Sequence, residues 1–364
     1  MKVTRAARRR TERVLVSAVR RSVARGSRVT PALVTLLVEN RLGRVRRRLP
    51  RSLRDAYQLT RPVHPLGGRR DGLPSILILI PCTAKDLATV HLALAASRSA
   101  VLNPVSGVLL LSPRRDVGHL ADLVTGDVSI QADEDLVLSR AFAAIDELVP
   151  AGRRGWVVQQ VVKLAVAASA SVPGVLVVDS DTVLLEPRVW LDGSRQLPTV
   201  VREYHEPYVV HAERCLGELG RAEGVSWVSH HQLMQPRVVR QMLTQILCRL
   251  GDLDERPSGA DSGADSVDVD VDVDRALELW IRSADFSENS ALSEYHTYGA
   301  FIRNAEPSNA IPARWGNARM KRSSLSVGAL HDLDEVRRLG APALSVSLHA
   351  YLDAPSTRPS GAER

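Results

Sequence analysis

The sequence predicts an α/β fold built on a mostly parallel sheet. Short apolar runs indicate buried strands, at 76–80, 108–111, 128–130 and 175–178. Helix-patterned stretches separate these runs, as expected for parallel strands joined by right-handed crossovers. Hydrophobic residues make up 45% of the 364 residues, enough for a large core. We therefore expect one Rossmann-type domain, with a mixed, mostly parallel central sheet flanked by helices.

Positive charge is concentrated at the beginning of the chain. Residues 1–72 contain Lys2 and nineteen arginines against four acidic residues, a net charge of +16, so the remainder carries −9 of the total +7. Short apolar pieces among these charges predict either basic helices or a disordered, solvated arm. Basic helices bind anionic membranes or nucleic acid. Tyr57 is the only aromatic residue in this extension, which argues against a single-strand nucleic-acid module.

The cysteine pattern and the apolar runs indicate the cellular compartment of the protein. Cys82, Cys215 and Cys248 are scattered and give neither a disulfide framework nor a zinc spacing. No apolar run has the length of a membrane-spanning helix, and no apolar segment follows the N-terminal charges. We expect a cytoplasmic protein whose contact with the inner membrane face, if there is one, is made by residues 1–72.

The folded domain is expected to span residues 73–325, between the basic extension and a partly disordered tail at 326–364. Residues 251–274 are low in complexity and rich in aspartate. An EF-hand loop does not fit there, because Val273 and Leu279 occupy the positions that require Gly and Glu. We interpret this segment as an acidic, flexible insertion.

Two carboxylates follow the fourth predicted strand, Asp179 and Asp181. Ligands of open α/β sheets gather beyond the carboxyl ends of the strands. Two acids one residue apart repel each other unless a cation lies between them. A hard divalent ion with oxygen ligands, which usually binds together with substrate phosphates, would meet that need. The alternative is a solvated turn, since Asp is an ordinary turn residue.

The helix predicted before this strand is apolar nearly all round, which indicates burial. Gln159, Gln160 and Lys163 interrupt it at spacings that allow one shared face. Arg154 lies at its beginning, where free backbone N–H groups favour anions. An anionic ligand would satisfy these polar groups. In the alternative, Lys163 extends to water and Arg154 is simply exposed.

Three further positions carry candidate chemistry. Asp86, after the first strand, is a candidate helix cap. A predicted strand at 225–229 ends in His230 and His231, of which at most one reaches a metal if the strand continues; we assign that role to His231. Glu294 lies in the first turn of a helix, which favours its ionised form as a general base or as an acceptor of a donor-sugar hydroxyl. A structural glutamate is the alternative.

The joint order of these motifs resembles the DUF6492-type family of bacterial proteins, which look like GT-A-fold glycosyltransferases. The matching segments are 80–86, 155–163, 177–181, 228–231 and 293–299. The resemblance covers residues 74–320. It implies a GT-A-like fold and transfer of a sugar, in the hexosyltransferase class, from a nucleotide-diphosphate sugar to a glycan, lipid or small-molecule acceptor.

The resemblance also implies roles for the site residues. Asp181 would bind Mn²⁺ or Mg²⁺ directly, and Asp179 would contact the metal or the nucleotide. The metal would neutralise charge on the leaving diphosphate, helped by Lys163 and Arg154. Glu294 would deprotonate the acceptor hydroxyl.

Two rival functions stay open. A haloacid-dehalogenase-type phosphohydrolase also uses Asp-x-Asp after a strand, but it needs a further acidic pair after a later strand. Asp332 and Asp334 instead lie in a polar, helix-like stretch. A catalytically degenerate sugar- or nucleotide-binding domain is the second rival. It would bind nucleotide without metal or not at all.

Overall fold

The computed structural model describes residues 72–201, 204–221, 226–251, 271–310, 312–321, 332–340 and 343–349. The predicted arm through residue 71, residues 252–270 of the predicted insertion, and residues 350–364 lie outside this part of the chain. Apart from Arg314–Gly316, which group with a second unit, the described residues belong to one unit. No helix among them is long and apolar enough to cross a membrane.

Helices and strands alternate through the first half of this unit. The strands are β1 (Ile76–Pro81), β2 (Val105–Ser112), β3 (Val128–Ala132), β4 (Gly174–Val178), β5 (Thr182–Leu184), β6 (Leu191–Asp192), β7 (Arg195–Gln196), β8 (Thr199–Val200), β9 (His231–Met234), β10 (Ala313–Arg314), β11 (Asn317–Lys321) and β12 (Ser345–His349). The helices are α1 (Leu87–Ala100), α2 (Arg114–Val117), α3 (Ser139–Leu148), α4 (Arg154–Ser169), α5 (Glu206–Leu216), α6 (Pro236–Leu250), α7 (Val273–Arg282), α8 (Glu294–Ala305) and α9 (Leu333–Gly340).

The central sheet has the order β3-β2-β1-β4-β9. The first four strands are parallel, and β9 runs antiparallel to β4. The four predicted apolar runs all form strands of this sheet, so the predicted mixed, mostly parallel sheet flanked by helices is confirmed. β1 and β4 are buried along nearly their whole length, as expected for strands covered on both faces.

Two apolar layers cover the sheet. The larger one contains strand residues such as Val175 and Val177 together with buried side chains of α4, α6, α7 and α8. The smaller one joins Leu92 and Ala96 of α1 to Val183 of β5 and Val346 of β12. In that layer a second sheet, ordered β11-β12-β5, packs beside α1.

Ordered elements lie beyond the expected domain limits at two places. After residue 325, β12 pairs with both β11 and β5, and Val336 of α9 is fully buried. The insertion expected at 251–274 ends earlier, because α7 begins at Val273. The carboxylate of Asp274 accepts hydrogen bonds from the backbone N–H groups of Arg140 and Ala141, at 3.0 and 2.9 Å, and so caps α3.

The strand predicted at 225–229 is also wrong. Ser226 makes only an isolated bridge to Val201, and the strand begins at His231, after His230 has turned the chain with a φ of 64°. A positive φ is uncommon for a residue with a side chain and marks a constrained turn. The turn places His230 beside the end of β4 and starts the antiparallel pairing of β9.

Gly299 allows α8 to approach Trp227 closely. A Cβ atom at position 299 would lie 2.4 Å from Cγ of Trp227. We therefore expect Gly299→Ala to destabilise the protein by about 1–3 kcal/mol through overpacking, measured by urea unfolding. Gly155→Ala on α4 is the matched control, since its Cβ would meet nothing within 4 Å and should stabilise by about 0.5–1 kcal/mol. Equal effects of the two substitutions would contradict this account.

Candidate active site

The candidate site lies where the strand order of the parallel sheet reverses. In the order β3-β2-β1-β4, successive strands are added on one side of β1 and then on the other. The crevice beyond the carboxyl ends of the two strands at such a reversal is the usual ligand position in open α/β sheets. The segment with Asp86 follows β1, and Asp179 and Asp181 follow β4, so topology brings these predicted residues to one edge.

A buried lysine joins two carboxylates at this edge. Nζ of Lys163 lies 2.6 Å from Oδ1 of Asp179 and 2.8 Å from Oε1 of Glu294. The Lys163 and Glu294 side chains are each only 3% exposed. The hydroxyl of Tyr295 donates to the same Asp179 oxygen at 2.8 Å. Lys163 thus separates the acids Asp179 and Glu294, and the divalent cation predicted between Asp179 and Asp181 stays a prediction.

Helices α4 and α8 bring these side chains together. Gln160 lies one turn before Lys163 on α4, and its Oε1 accepts a hydrogen bond from the backbone N–H of Glu294 at 3.1 Å. Oγ of Ser293 accepts from the backbone N–H of His296 at 3.2 Å and so caps α8. The beginning of α8 is therefore held both by its own cap and by α4.

The pKa values in this cluster follow from burial and its charges. Burial alone would lower the pKa of Lys163, but the two carboxylates outweigh it and raise the pKa. Burial would raise the pKa of Asp179, but Lys163 and His230 hold it below its usual range. For Glu294, burial and Asp179 raise the pKa against the opposing effect of Lys163. The ammonium group thus stays charged and bound to both acids.

His230, not His231, reaches the aspartate pair. Nδ1 of His230 lies 3.2 Å from Oδ2 of Asp179, and the backbone N–H of Asp179 donates to the carbonyl of His230 at 2.9 Å. The His231 ring instead packs edge-on against Trp190, with centroids 5.5 Å apart. The structure places the His231 ring against Trp190 because β9 begins at His231, after the turn at His230. A metal-ligand role for His231 stays a prediction.

The structure places Lys163 and Glu294 in an ion pair inside the site. Lys163 bonds to both Asp179 and Glu294, and Glu294 points inward to Lys163. Contact of Lys163 with a substrate phosphate and proton removal by Glu294 stay predictions. In the structure Lys163 holds Asp179 in place, and Glu294 holds Lys163.

Arg154 and Asp86 serve local structure. Nη1 of Arg154 lies 3.0 Å from the carboxylate of Asp146, and Nη2 donates to the Asp146 carbonyl at 2.8 Å, so the predicted anion site at the beginning of α4 is already filled by a carboxylate of α3. Oδ2 of Asp86 accepts from the backbone N–H and the hydroxyl of Thr83 at 3.0 and 2.9 Å. Asp86 therefore ties down the segment after β1 instead of capping α1 with its side chain.

The predicted shared face of Gln159, Gln160 and Lys163 is only partly realised. Gln160 and Lys163 are buried and both bond to the beginning of α8. Gln159 is partly exposed, and no contact ties it to this cluster. The role predicted for Gln159 at the donor stays a prediction.

Asp181 is the carboxylate of the pair that remains at the surface. It is partly exposed, and its backbone carbonyl accepts from the N–H of Leu348 on β12 at 2.8 Å. The described residues contain no group of three or more His, Cys, Asp or Glu side chains arranged to hold a metal ion. The donor set therefore fits a cation bound through one carboxylate and substrate phosphates, and does not fit a cation enclosed by protein side chains.

Two residues of this cluster escape analysis of the sequence. Tyr295 follows Glu294 and looks like a core position of an amphipathic helix, yet its hydroxyl bonds to Asp179. The contact of His230 depends on its left-handed turn, which alternation along a strand cannot predict. The sequence signal that could have pointed to Tyr295 was the concentration of polar residues in 293–298, beside the otherwise apolar face of the predicted helix.

No family model and no curated protein sequence matches the chain. Among solved structures, it is similar to mouse xyloside xylosyltransferase 1 in the apo form, with 12% identity, a TM-score of 0.38, and coverage of 78% of this chain and 99% of that one. It is also similar to the galactosyltransferase LgtC in complex with donor and acceptor sugar analogues, with 13% identity, a TM-score of 0.36, and coverage of 75% and 86%.

A third similar structure is glucosyl-3-phosphoglycerate synthase from Mycobacterium tuberculosis, crystallised with Mn²⁺, UDP and glucosyl-3-phosphoglycerate. It shows 16% identity and a TM-score of 0.31, with coverage of 53% of this chain and 76% of that one. All three TM-scores lie below 0.5, so these likenesses are weak.

Proposed function

We propose that this protein transfers a sugar from a nucleotide-diphosphate sugar to a hydroxyl acceptor, as a GT-A-like glycosyltransferase of the DUF6492 type. The observation that carries the proposal is the position of Asp181. It is a partly exposed carboxylate at the strand-order reversal, and its neighbour Asp179 is fixed by Lys163, Tyr295 and His230. The chemistry of the site supports a donor diphosphate at this edge.

The charge of the edge bears on how a diphosphate binds. Burial and nearby carboxylates, first Glu134 and then Asp116, raise the pKa of Asp133 at the end of β3 to about 7. Asp179 and Asp181 follow β4, so three carboxyl groups lie after strands at this edge. Lys163 already pairs with Asp179, and the charge of Asp181 would repel a diphosphate unless a cation accompanied it. This supports Mn²⁺ or Mg²⁺ held by Asp181 and the phosphates.

The reaction is a displacement at the anomeric carbon. The acceptor oxygen bonds to that carbon, the bond from the carbon to the phosphate oxygen breaks, and the diphosphate leaves with the electron pair. The acceptor proton passes to a basic oxygen of the diphosphate. A bound divalent cation supplies neutralisation of the leaving charge. Asp179 keeps the turn that carries Asp181 in place, and Lys163 keeps Asp179 in place.

The dehalogenase-type alternative is less consistent with the site. That chemistry needs a free nucleophilic aspartate and a third acid beside the pair. Both oxygens of Asp179 are already engaged, and the described residues hold no such group of three.

A thermal-shift screen tests the proposal. UDP-, GDP- and TDP-sugars are added at about 100 times their Kd with and without Mn²⁺. A matching donor should stabilise the protein by about 2.7 kcal/mol, and most of this gain should require the metal. Asp181→Ala should lose the metal-dependent part, whereas the exposed Asp122→Ala should keep it.

Two results would defeat the proposal. One is the lack of any metal-dependent stabilisation by a nucleotide sugar. The other is an Asp181→Ala protein that responds as the wild type does. Stabilisation by nucleotide without metal would favour the non-catalytic binding domain, and phosphate release from phosphomonoesters would favour the dehalogenase type.

A further inference from the structure

A second polar cluster lies between α5 and α8, outside the carboxylate site. It comprises His205, Tyr208, His211, Trp227 and His296, and we call it the histidine cluster. His296 is on α8, two residues after Glu294. Its ring lies 6.3 Å from that of Tyr208, which in turn packs edge-on against His205 at 4.5 Å.

His296 has no hydrogen-bond partner at either ring nitrogen, although its side chain is only 1% exposed. Nδ1 of His211 and Nε1 of Trp227 are buried without partners as well. Each such group costs about 1–3 kcal/mol unless something satisfies it. Groups of this kind in native proteins are usually explained by a water, an ion or a ligand.

Trp227 belongs to the same side of α8 as His296. It packs on Ala300 and lies so close to Gly299 that only a glycine fits. Positions 299 and 300 follow His296 by three and four residues, so all three face one direction. The Tyr208 ring thus packs near the His296 imidazole, and Trp227 packs one turn further along the same face of α8.

The charge of the cluster excludes most classes of ligand. Burial, His211 and His205 lower the pKa of His296 to about 4, so the ring is neutral near pH 7 and offers an anion no opposite charge. The described residues of this cluster form no group that could hold a metal ion. A neutral imidazole has one donor and one acceptor nitrogen. Its complement is a hydroxyl group, which also donates and accepts.

The cluster is close to the carboxylate site and has a way in. Burial and, to a smaller extent, the charge of Glu294 raise the pKa of the Tyr208 hydroxyl, and Glu294 bonds to Lys163. Tyr208 and His205 are partly exposed. These two rings lead from solvent toward His296. Aromatic faces bury the apolar faces of a ligand while polar groups fix its orientation.

We propose that the histidine cluster is the acceptor subsite, and that it takes a neutral, polyhydroxylated acceptor such as a sugar. The acceptor's apolar face packs on Tyr208, and its hydroxyl groups bond to the ring nitrogens of His296 once the Tyr208 ring turns aside. This inference rests on the proposed glycosyl transfer. It assigns the acceptor chemistry that the carboxylate site leaves open.

The test separates donor from acceptor. With the donor found by thermal shift, nucleotide release is measured with water alone and with a panel of methyl glycosides. The wild type should release nucleotide faster with a matching glycoside. His296→Leu should raise the KM for that glycoside at least tenfold, while donor KM and hydrolysis in water stay unchanged. Its thermal stability should not fall, since two unpaired polar atoms are removed.

A second variant controls for damage to the fold. His119→Leu alters an exposed histidine and should change neither KM. An unchanged glycoside KM in His296→Leu would overturn the inference, as would a large loss of stability, which would mean that buried water alone pairs the ring. A folded wild type that hydrolyses the donor but responds to no glycoside would also overturn it. Failure of every nucleotide sugar to bind would instead overturn the proposed function.

Discussion

Lys163→Met is expected to destabilise the protein by about 3–5 kcal/mol, the largest effect of any single change at the site. The substitution keeps the length of the side chain but leaves Asp179 and Glu294 buried without their cation. Breaking a buried ion pair on one side has this cost because an uncompensated charge remains. The measurement is the free energy of unfolding in urea at pH 7.

A double-mutant cycle separates this cost from a simple loss of packing. Lys163→Met combined with Glu294→Gln removes one of the two stranded charges and should recover at least 1 kcal/mol relative to Lys163→Met alone. Lys85→Met, at an exposed lysine, is the matched control and should stay within about 0.5 kcal/mol of the wild type. A change below 1 kcal/mol for Lys163→Met would show that water reaches the cluster and pairs both acids.

The contacts of Lys163 with Asp179 and Glu294 also show how far the sequence determines the site. The spacing of Gln160 and Lys163 predicts a shared polar face in a buried helix, and in the structure both side chains bond to Glu294 at the beginning of α8. Their partner Glu294 lies 131 residues after Lys163, a pairing that no local pattern encodes. Arg154 is the opposite case: an arginine at a helix start predicts an anion, and Asp146, eight residues earlier, supplies it.

The fold was predictable where the pattern of apolar residues along the sequence matches the burial of those residues in the structure. The strands β1 and β4 are continuous apolar runs that cannot be stable outside a sheet covered on both faces. β9 escapes prediction because His231 and Gln232 are polar yet buried, so its composition resembles a loop. β12 is hidden for a similar reason, since Ser345 and Ser347 alternate with its apolar residues and only pairing with β5 and β11 buries them.

Acid pH is expected to destabilise the fold strongly below pH 6.5. Burial lowers the pKa of His211 and of His296 to about 4, and that of His231 to about 3, with nearby cationic or histidine side chains adding to the effect. In the unfolded chain each titrates near 6.5. Between those values the unfolded state binds more protons, so stability is fully present above pH 6.5 and is lost as the pH falls.

Two acids act in the opposite direction. Burial and adjacent carboxylates raise the pKa of Asp133 to about 7, so the folded state holds an extra proton between about pH 4 and 7. Three histidines against Asp133 leave a difference of about two protons, and Glu294, whose pKa burial also raises, reduces that difference. The expected slope near pH 5 is therefore at most about 2.7 kcal/mol per pH unit. The measurement is urea unfolding at half-unit steps from pH 7 to pH 5.

Substitution assigns the slope to named residues. His231→Phe keeps an aromatic ring against Trp190 and removes one titrating group, so the slope should fall by about 1.4 kcal/mol per pH unit. Asp133→Asn should steepen it by a similar amount, because the opposing proton is gone. His119→Gln, at an exposed position, should leave it unchanged. If neither His231→Phe nor Asp133→Asn changes the slope of unfolding free energy against pH, these groups titrate in the folded protein as they do in water. Solvent would then reach the buried histidines.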